Sequence, residues 1–334
     1  MLKQPDLANL KKGDMVDHYL MIRKIEERST KAGKAFLSLE LGDKSSGINA
    51  NVWNDTSGFE QLSGKVKTGD IVKVSGTIDE FQGSPQIKIN SAELVGDTAG
   101  ITARDFLSKS LHDPEAMENE FLTRIEQISN SNLKTLLNNI FSGEELEKFK
   151  IAPAGKSWHH AYLSGLIEHT LELIKICDLM CEFHKELNRD LLIAGAMLHD
   201  FGKTIELKYD SAFEYSDKGK LIGHIVICAS IIEEETKKIP GFPEEIKNLL
   251  IHLILSHQGK LEYASPVVPK IPEAIALYQA DELSAKVNAY LNTLKTEVSG
   301  EGNWTKFIHL AQTDLYRQQG SSTNEDNVSK SLFD

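Results

Sequence analysis

Cysteine is scarce in this 334-residue chain, and the three present, Cys177, Cys181 and Cys228, are an odd number that argues against a disulfide framework. No run of 18 or more apolar residues occurs, and no apolar segment follows a basic stretch near the N-terminus. Neither membrane insertion nor secretion is therefore expected, and the cytoplasm is the default location. Internal repeats are missing as well, so the length has to be divided among distinct domains, two or so at ordinary domain size, with 40% hydrophobic residues to fill their cores. Positive charge is also in short supply. The balance of 37 Lys and Arg against 49 Asp and Glu leaves a net −12, which at first argues against a polyanionic partner. Its distribution changes that reading: residues 1–95 carry 13 basic and 13 acidic side chains, and the remainder holds the whole excess. A neutral module joined to an acidic one can still bind a polyanion locally.

The first hundred residues read as strands. Alternation of apolar and polar side chains runs through Tyr19–Ile25, Ala35–Leu41, Ile48–Trp53, Ile71–Ile78 and Gln86–Asn90. Glycine-bearing turns separate them, and Thr56 to Thr68 leaves room for a short helix between the third and fourth. Five strands with one longer connection suit a small Greek-key barrel of the OB type. From Thr102 onward the pattern is helical, with Val95–Gly100 as the expected linker. The chain is thus expected to be a multidomain α and β protein, an N-terminal OB-type β-barrel followed by an all-α domain. The expected bounds are 1–95 for the barrel, 96–155 for a helical linker, 156–295 for the catalytic helices and 296–334 for a C-terminal extension with a disordered polar tail.

Four histidines and two aspartates in short patches carry the chemistry. They are His169 in Gly165-Leu-Ile-Glu-His-Thr, His199 and Asp200 in Leu198-His-Asp-Phe-Gly-Lys203, His224 in Ile222-Gly-His, His257 in Leu255-Ser-His-Gln-Gly259, and Asp281 in Tyr278-Gln-Ala-Asp. Neutral imidazoles mixed with carboxylates suit borderline divalent ions, manganese, iron, cobalt or zinc, whereas an all-oxygen set would point to magnesium or calcium. Two such ions ~3.5–4 Å apart can share a carboxylate and a hydroxide and clamp both oxygens of a phosphodiester displacement. Local sequence places these residues on helices. Asn188 or Asp190 can cap the run Leu191–Leu198, which is apolar almost all round and delivers His199 and Asp200 just before the helix-stopping Gly202. Pro243 and Gly259 bracket a helix ending at His257, and Pro272 opens one that turns Asp281 inward on the row of Ala274, Leu277, Tyr278 and Ala285. His252, about 140° from His257 around the same helix, is expected to face elsewhere. His159 and His160 are left open between supporting a ligand and touching substrate. The cysteines read as core thiols.

The order H…HD…H…H…D with a lysine three residues after the HD aspartate resembles the HD-domain metal-dependent phosphohydrolases. By that resemblance Asp200 bridges two ions, His169, His199 and Asp281 complete one, and His224 with His257 complete the other. Lys203 holds a phosphate oxygen or assists proton transfer. The succession of OB module, helical linker and HD domain further resembles the YhaM family of 3′-5′ exoribonucleases from Gram-positive bacteria. The stretches that carry this are His159-His-Ala-Tyr-Leu-Ser-Gly-Leu-Ile-Glu-His-Thr, His199-Asp-Phe-Gly-Lys203 and Ser256-His-Gln-Gly-Lys-Leu-Glu-Tyr-Ala-Ser-Pro-Val267 followed by Pro272-Glu-Ala. Ser164-Gly165 stands where the family has a glycine pair, and Gln258 where many members have a second histidine. The resemblance implies manganese-dependent removal of mononucleotides from the 3′ end of single-stranded RNA, with single-stranded DNA as a second substrate.

For strand binding the barrel offers Phe36, Trp53, Phe59 and Phe81 for base stacking and Lys31, Lys34, Lys73 and Lys88 for phosphates. Three other functions compete. A nucleotidase acting on free nucleotides would need no strand-binding module. A cyclic-dinucleotide phosphodiesterase would carry a Gly-Tyr-Pro patch near the fourth ligand, where this chain has Leu261-Glu-Tyr-Ala-Ser-Pro266. A non-catalytic single-strand-binding protein would not need six intact ligands.

Overall fold

The computed structural model describes residues 4–30, 33–81, 84–96, 100–156, 158–297 and 302–318. The polar tail beyond Gln318 lies outside the described residues. The chain forms two compact units. One runs through Lys109 and takes in Tyr209–Ala212; the other runs from Ser110 to Lys208 and resumes at Phe213.

The first unit is a closed five-stranded barrel of β1 (Met15–Ser29), β2 (Ala35–Gly42), β3 (Gly47–Trp53), β4 (Ile71–Phe81) and β5 (Ser84–Leu94), in the order β1-β2-β3-β5-β4. Closure depends on β1 being long enough to serve two neighbours. Its first half pairs with β4 and its second half with β2, and a bulge between Ile22 and Lys24 bends it from one to the other. Arg23 at that bulge donates to the Asp43 carbonyl at 2.6 Å, and its guanidinium lies over Gly42, where a Cβ would come 2.1 Å from Nε and push the arginine side chain aside. β3 and β5 run parallel, which requires a crossover. The connection carries α1 (Ser57–Leu62), whose Leu62 is fully buried among Val52, Val72, Ile87 and Ala92. Phe59, offered above for base stacking, instead packs against this core: its position on α1 turns it inward. Tyr209–Ala212 belongs with this unit, and Asp210 accepts from Arg104 at 3.0 Å.

The second unit is built on helices α2 (Pro114–Glu126), α3 (Ser131–Ile140), α4 (Gly143–Ile151), α5 (Gly165–Phe183), α6 (Arg189–Leu198), α7 (Lys203–Glu206), α8 (Asp217–Ile222), α9 (His224–Lys237), α10 (Glu244–Ser256) and α11 (Pro272–Glu297). A two-stranded ribbon, β6 (Leu207–Lys208) with β7 (Glu214–Tyr215), interrupts them. Residues 110–155 lie within this unit rather than bridging to it. Phe121, Phe141 and Phe149 form an aromatic cluster that meets Phe201, one residue past Asp200. Helix α6 is buried along Leu191–Leu198, as its all-round apolar sequence demands, and the Asn188 side chain caps it by accepting from the Leu191 N–H at 3.1 Å. Asp190 is not the cap; it accepts from the backbone N–H groups of Ser129 and Asn130. Among the described residues no helix is long and apolar enough to cross a membrane.

Candidate functional site

Helices α5, α6, α9, α10 and α11 each end or turn inward at one point, and there the structure gathers all six residues expected to bind metal. His169 sits on the second turn of α5, His199 and Asp200 follow α6, His224 opens α9, His257 closes α10 and Asp281 lies on α11. His169, His199 and His257 are wholly buried, and Asp200 nearly so. The two oxygens of Asp200 divide the histidines. Oδ2 lies 3.3 Å from His199 Nε2, while Oδ1 lies 3.3 Å from His224 Nε2 and 3.7 Å from His257 Nε2. On the far side, His169 Nε2 is 3.1 Å from Asp281 Oδ1 and 3.3 Å from His199 Nε2. Among the described residues four groupings could hold an ion: His169 with His199 and Asp281, Asp200 with His224 and His257, and two more that share His169, one with His159 and Asp200 and one with His160 and Glu172; only the first two are made wholly of the six expected ligands.

The tautomers follow from what lies behind each ring. Nδ1 of His199 faces the Ala196 carbonyl at 2.8 Å and Nδ1 of His257 the Ile254 carbonyl at 2.7 Å, so both must donate. His224 Nδ1 faces the Glu206 carboxylate at 3.0 Å. His169 Nδ1 faces Ser284 Oγ at 3.0 Å, and because that hydroxyl gives its own proton to Glu172 at 2.6 Å, the ring is the donor. All four Nε2 atoms therefore present lone pairs inward; that of His257 accepts from the Gln258 side-chain amide at 3.1 Å, and the other three lie against one another and against carboxylate oxygens. Such an arrangement repels itself unless positive charge lies between, and Asp200 Oδ1 and His224 Nε2 are buried without a hydrogen bond. Outer partners that fix the tautomer are the ordinary companions of metal-bound histidine. The donor set, four imidazoles with two carboxylates, fits borderline divalent ions.

The electrostatics agree. Burial pushes the His169 imidazole well below 6.5 and that of His257 down to about 4, so both stay neutral. At His199 burial would lower the ring, but adjacent Asp200 outweighs it and raises it. Burial would also raise Asp200, but Lys203 and His199 hold it well below the ordinary carboxylate range. Lys203 is kept charged against burial by the same pairing, with Nζ 2.6 Å from Asp200 Oδ2. Its second donor goes to the Ala154 carbonyl at 2.5 Å.

A pocket of about 160 Å³ opens onto this centre, lined by Asp200, Lys203, His257, Asp281, Trp158 and His159 among others. His159 and His160 part ways here. His159 faces the pocket, whereas His160 is fully buried behind His169, with Nε2 3.4 Å from Glu172 Oε1. Gly202 does not stop a helix through a left-handed turn, as its place after the doublet suggested. It has an ordinary right-handed backbone, and glycine is needed because a Cβ would lie 2.2 Å from the His224 carbonyl. Ser164 does adopt the left-handed conformation, φ 63, which a glycine holds without the ~1–2 kcal/mol cost to other residues. His252 points away from the centre and accepts from the Lys270 N–H. Cys177, Cys181 and Cys228 are buried free thiols.

Sequence reasoning missed Glu206, Ser284 and Glu172. Glu172 and Ser284 each lie three residues after a ligand, His169 and Asp281, and so on the same helix face, a spacing that could have flagged them.

On the barrel, the outer face of β1, β2, β3 and β5 with the end of β4 forms a groove of about 390 Å³ that contains Phe36 and Phe81, with Lys24, Arg28, Asn49 and Asn51 along it. Trp53 pairs across β2 with Phe36, ring centroids 4.8 Å apart, and exposed Lys88 pairs across β5 with Asn51. Lys34 pairs with Asp55 at 2.6 Å and lies 5.7 Å from the Trp53 ring. Lys73 is placed apart from this face: it sits where β4 meets β1, paired with Asp17 at 3.4 Å and over Tyr19. Lys31 lies outside the described residues. Lys24 and Arg28, which the strand pattern did not single out, both contact Glu26 in the groove and pull its carboxyl down to about 2.

Comparison with known proteins follows the same division. Residues 166–286 match the HD domain family and residues 21–95 the OB-fold nucleic acid binding domain family. A 3′-5′ exoribonuclease YhaM from Geobacillus sp. (strain WCH70) is 34% identical over 289 residues, 86% of this chain and 88% of the relative. The protein of that name from Bacillus subtilis (strain 168) is 32% identical over 86% of this chain and 90% of its own. One from Listeria monocytogenes serotype 4b (strain CLIP80459) is 33% identical over 88% and 93%.

Proposed function

The chain belongs to the YhaM family of 3′-5′ exoribonucleases, and from that premise we propose that it shortens single-stranded RNA from the 3′ end by metal-dependent hydrolysis at the histidine and aspartate cluster. Two divalent ions, manganese first among the borderline metals, would be held by His169, His199 and Asp281 on one side and by His224 and His257 on the other, with Asp200 available to both sets. The observation that carries this reading is the division of Asp200, one oxygen toward His199 and the other toward His224 and His257.

When bound, such ions supply an acidified water near neutral pH and positive charge against the phosphoryl oxygens. The protein's own groups do the rest. Asp200 is fixed by Lys203, so its carboxylate cannot rotate away from either set of histidines. Of the three donors on Lys203, two are taken by Asp200 and Ala154, and the third is left for a phosphate oxygen in the pocket it lines. The barrel groove holds the strand, with Phe36, Trp53 and Phe81 stacking bases and Lys24, Arg28, Lys34 and Lys88 meeting phosphates. Stacking of that kind is sequence-tolerant, as a processing enzyme requires. Single-stranded DNA is a second substrate on the same grounds. The test is metal stoichiometry: manganese titrated into the chelator-stripped protein should reach two ions per chain, and His224→Ala should reach no more than one. A single site in the unaltered protein would remove the two-ion reading.

A further inference from the structure

The metal centre occupies only part of its pocket. The same pocket is also lined by Tyr263, Tyr278, Glu282 and Lys286, none of which can serve the ions through the groupings described. Its volume of about 160 Å³ far exceeds the ~10–15 Å³ that one water needs, so it has room for a ligand. Glu282 follows Asp281 on α11, and its side chain is three-quarters shielded. Lys286, one turn on, contacts Oε1 at 2.6 Å and braces the carboxylate at the pocket wall. The Tyr278 hydroxyl lies beside it, and the Tyr278 ring is packed on Gly259, where a Cβ would come within 2.3 Å. Tyr263 is half exposed beneath Lys260, whose Nζ stands 5.0 Å from the ring centroid.

A carboxylate accepts hydrogen bonds and cannot donate them. In a pocket that takes the end of an RNA chain, the neighbouring groups with two adjacent donors and no negative charge are the 2′ and 3′ hydroxyls of the terminal ribose. We propose that Glu282, braced by Lys286, is the specificity residue that reads this terminal diol, with Tyr263 stacking on the base. The inference rests on the exonuclease reading and deepens it. An internal nucleotide has only one of the two hydroxyls free, and a 3′-phosphate would bring its charge against the carboxylate. A deoxyribose end loses one of the two bonds, which sets a preference for RNA over DNA at the terminus.

Binding of the product separates this from turnover. Adenosine 5′-monophosphate and its 2′,3′-dideoxy analogue should be titrated calorimetrically into the full-length manganese-loaded protein. Two hydrogen bonds to a charged, partly exposed acceptor should make the dideoxy nucleotide about tenfold weaker. In Glu282→Gln and Glu282→Ala that ratio should fall to about twofold or less, while Tyr263→Leu should weaken both nucleotides and keep the ratio. Equal binding of the two nucleotides by the unaltered protein would overturn the proposal. So would an undiminished ratio in both Glu282 variants, or a ratio lost equally in Tyr263→Leu. The exonuclease reading fails separately, if the protein discriminates between the nucleotides yet does not shorten RNA with any divalent ion.

Discussion

Replacing Glu206 should weaken metal binding without touching a ligand. Its carboxylate accepts twice from one residue, from the His224 ring Nδ1–H at 3.0 Å and from the His224 backbone N–H at 3.0 Å, and so fixes both the tautomer and the first turn of α9. Burial alone would raise this carboxyl, but His224 holds it below 4.5, so the interaction is present above that value and lost only as pH falls beneath the folded-state pKa. At pH 7 it is fully in place. Loss of an outer partner to a metal-bound histidine typically costs 10–100-fold in metal affinity, or about 1.4–2.7 kcal/mol. Glu206→Gln keeps an acceptor and loses the charge, so it should fall near the tenfold end; Glu206→Ala, which also leaves two buried N–H groups unpaired, should fall near the hundredfold end. The assay is manganese titration followed by calorimetry, with circular dichroism to confirm the fold. One of the two sites should weaken in each variant, and the other should keep its affinity. Unchanged affinity at both sites in Glu206→Ala would refute the argument that this carboxylate orients His224.

Phe36→Ala with Phe81→Ala should raise the apparent Kd for a long single-stranded RNA by about 5–150-fold for each stacked base lost, measured by fluorescence anisotropy. Lys24→Ala and Arg28→Ala should each flatten the salt dependence of log K by about 0.7 if the residue meets one phosphate. An unchanged slope in both would move the strand off this groove. Gly202→Ala should cost about 1–3 kcal/mol of stability in thermal or urea unfolding, because the new methyl has to displace the His224 carbonyl. A neutral result there would contradict the packing that brings α7 and α9 together.

That the six candidate ligands converge was legible because the chemistry restricts residue type: imidazole and carboxylate recur on the buried faces or at the ends of apolar helices, where an unpartnered polar group is costly. The caps and breaks were legible for a similar reason, as with Asn188 before α6 and Pro272 at the start of α11. The outer partners were not. A donor Nδ1–H is satisfied equally by Glu206, by the Ser284 hydroxyl or by the carbonyls of Ala196 and Ile254, and a backbone carbonyl leaves no mark in the sequence. Gly202 was read as a helix stop because closeness to the His224 backbone is a matter of tertiary packing. On the barrel, alternation places a side chain outside but does not say which outside face. Lys73 and Lys88 look alike along the chain, and only the strand pairing puts Lys88 beside Asn51 and Lys73 beside Asp17.

The central claim is tested most directly by digesting one single-stranded RNA labelled at its 5′ end or at its 3′ end, with the unaltered protein and with Asp200→Ala, before and after chelation. The account predicts that the 5′ label passes through a ladder of progressively shorter products, while the 3′ label appears at once as a mononucleotide. Both should stop on chelation and return with manganese better than with calcium, and Asp200→Ala should show neither while still binding the RNA. Release of the 5′ label first, internal fragments, or turnover by Asp200→Ala in saturating manganese would contradict it.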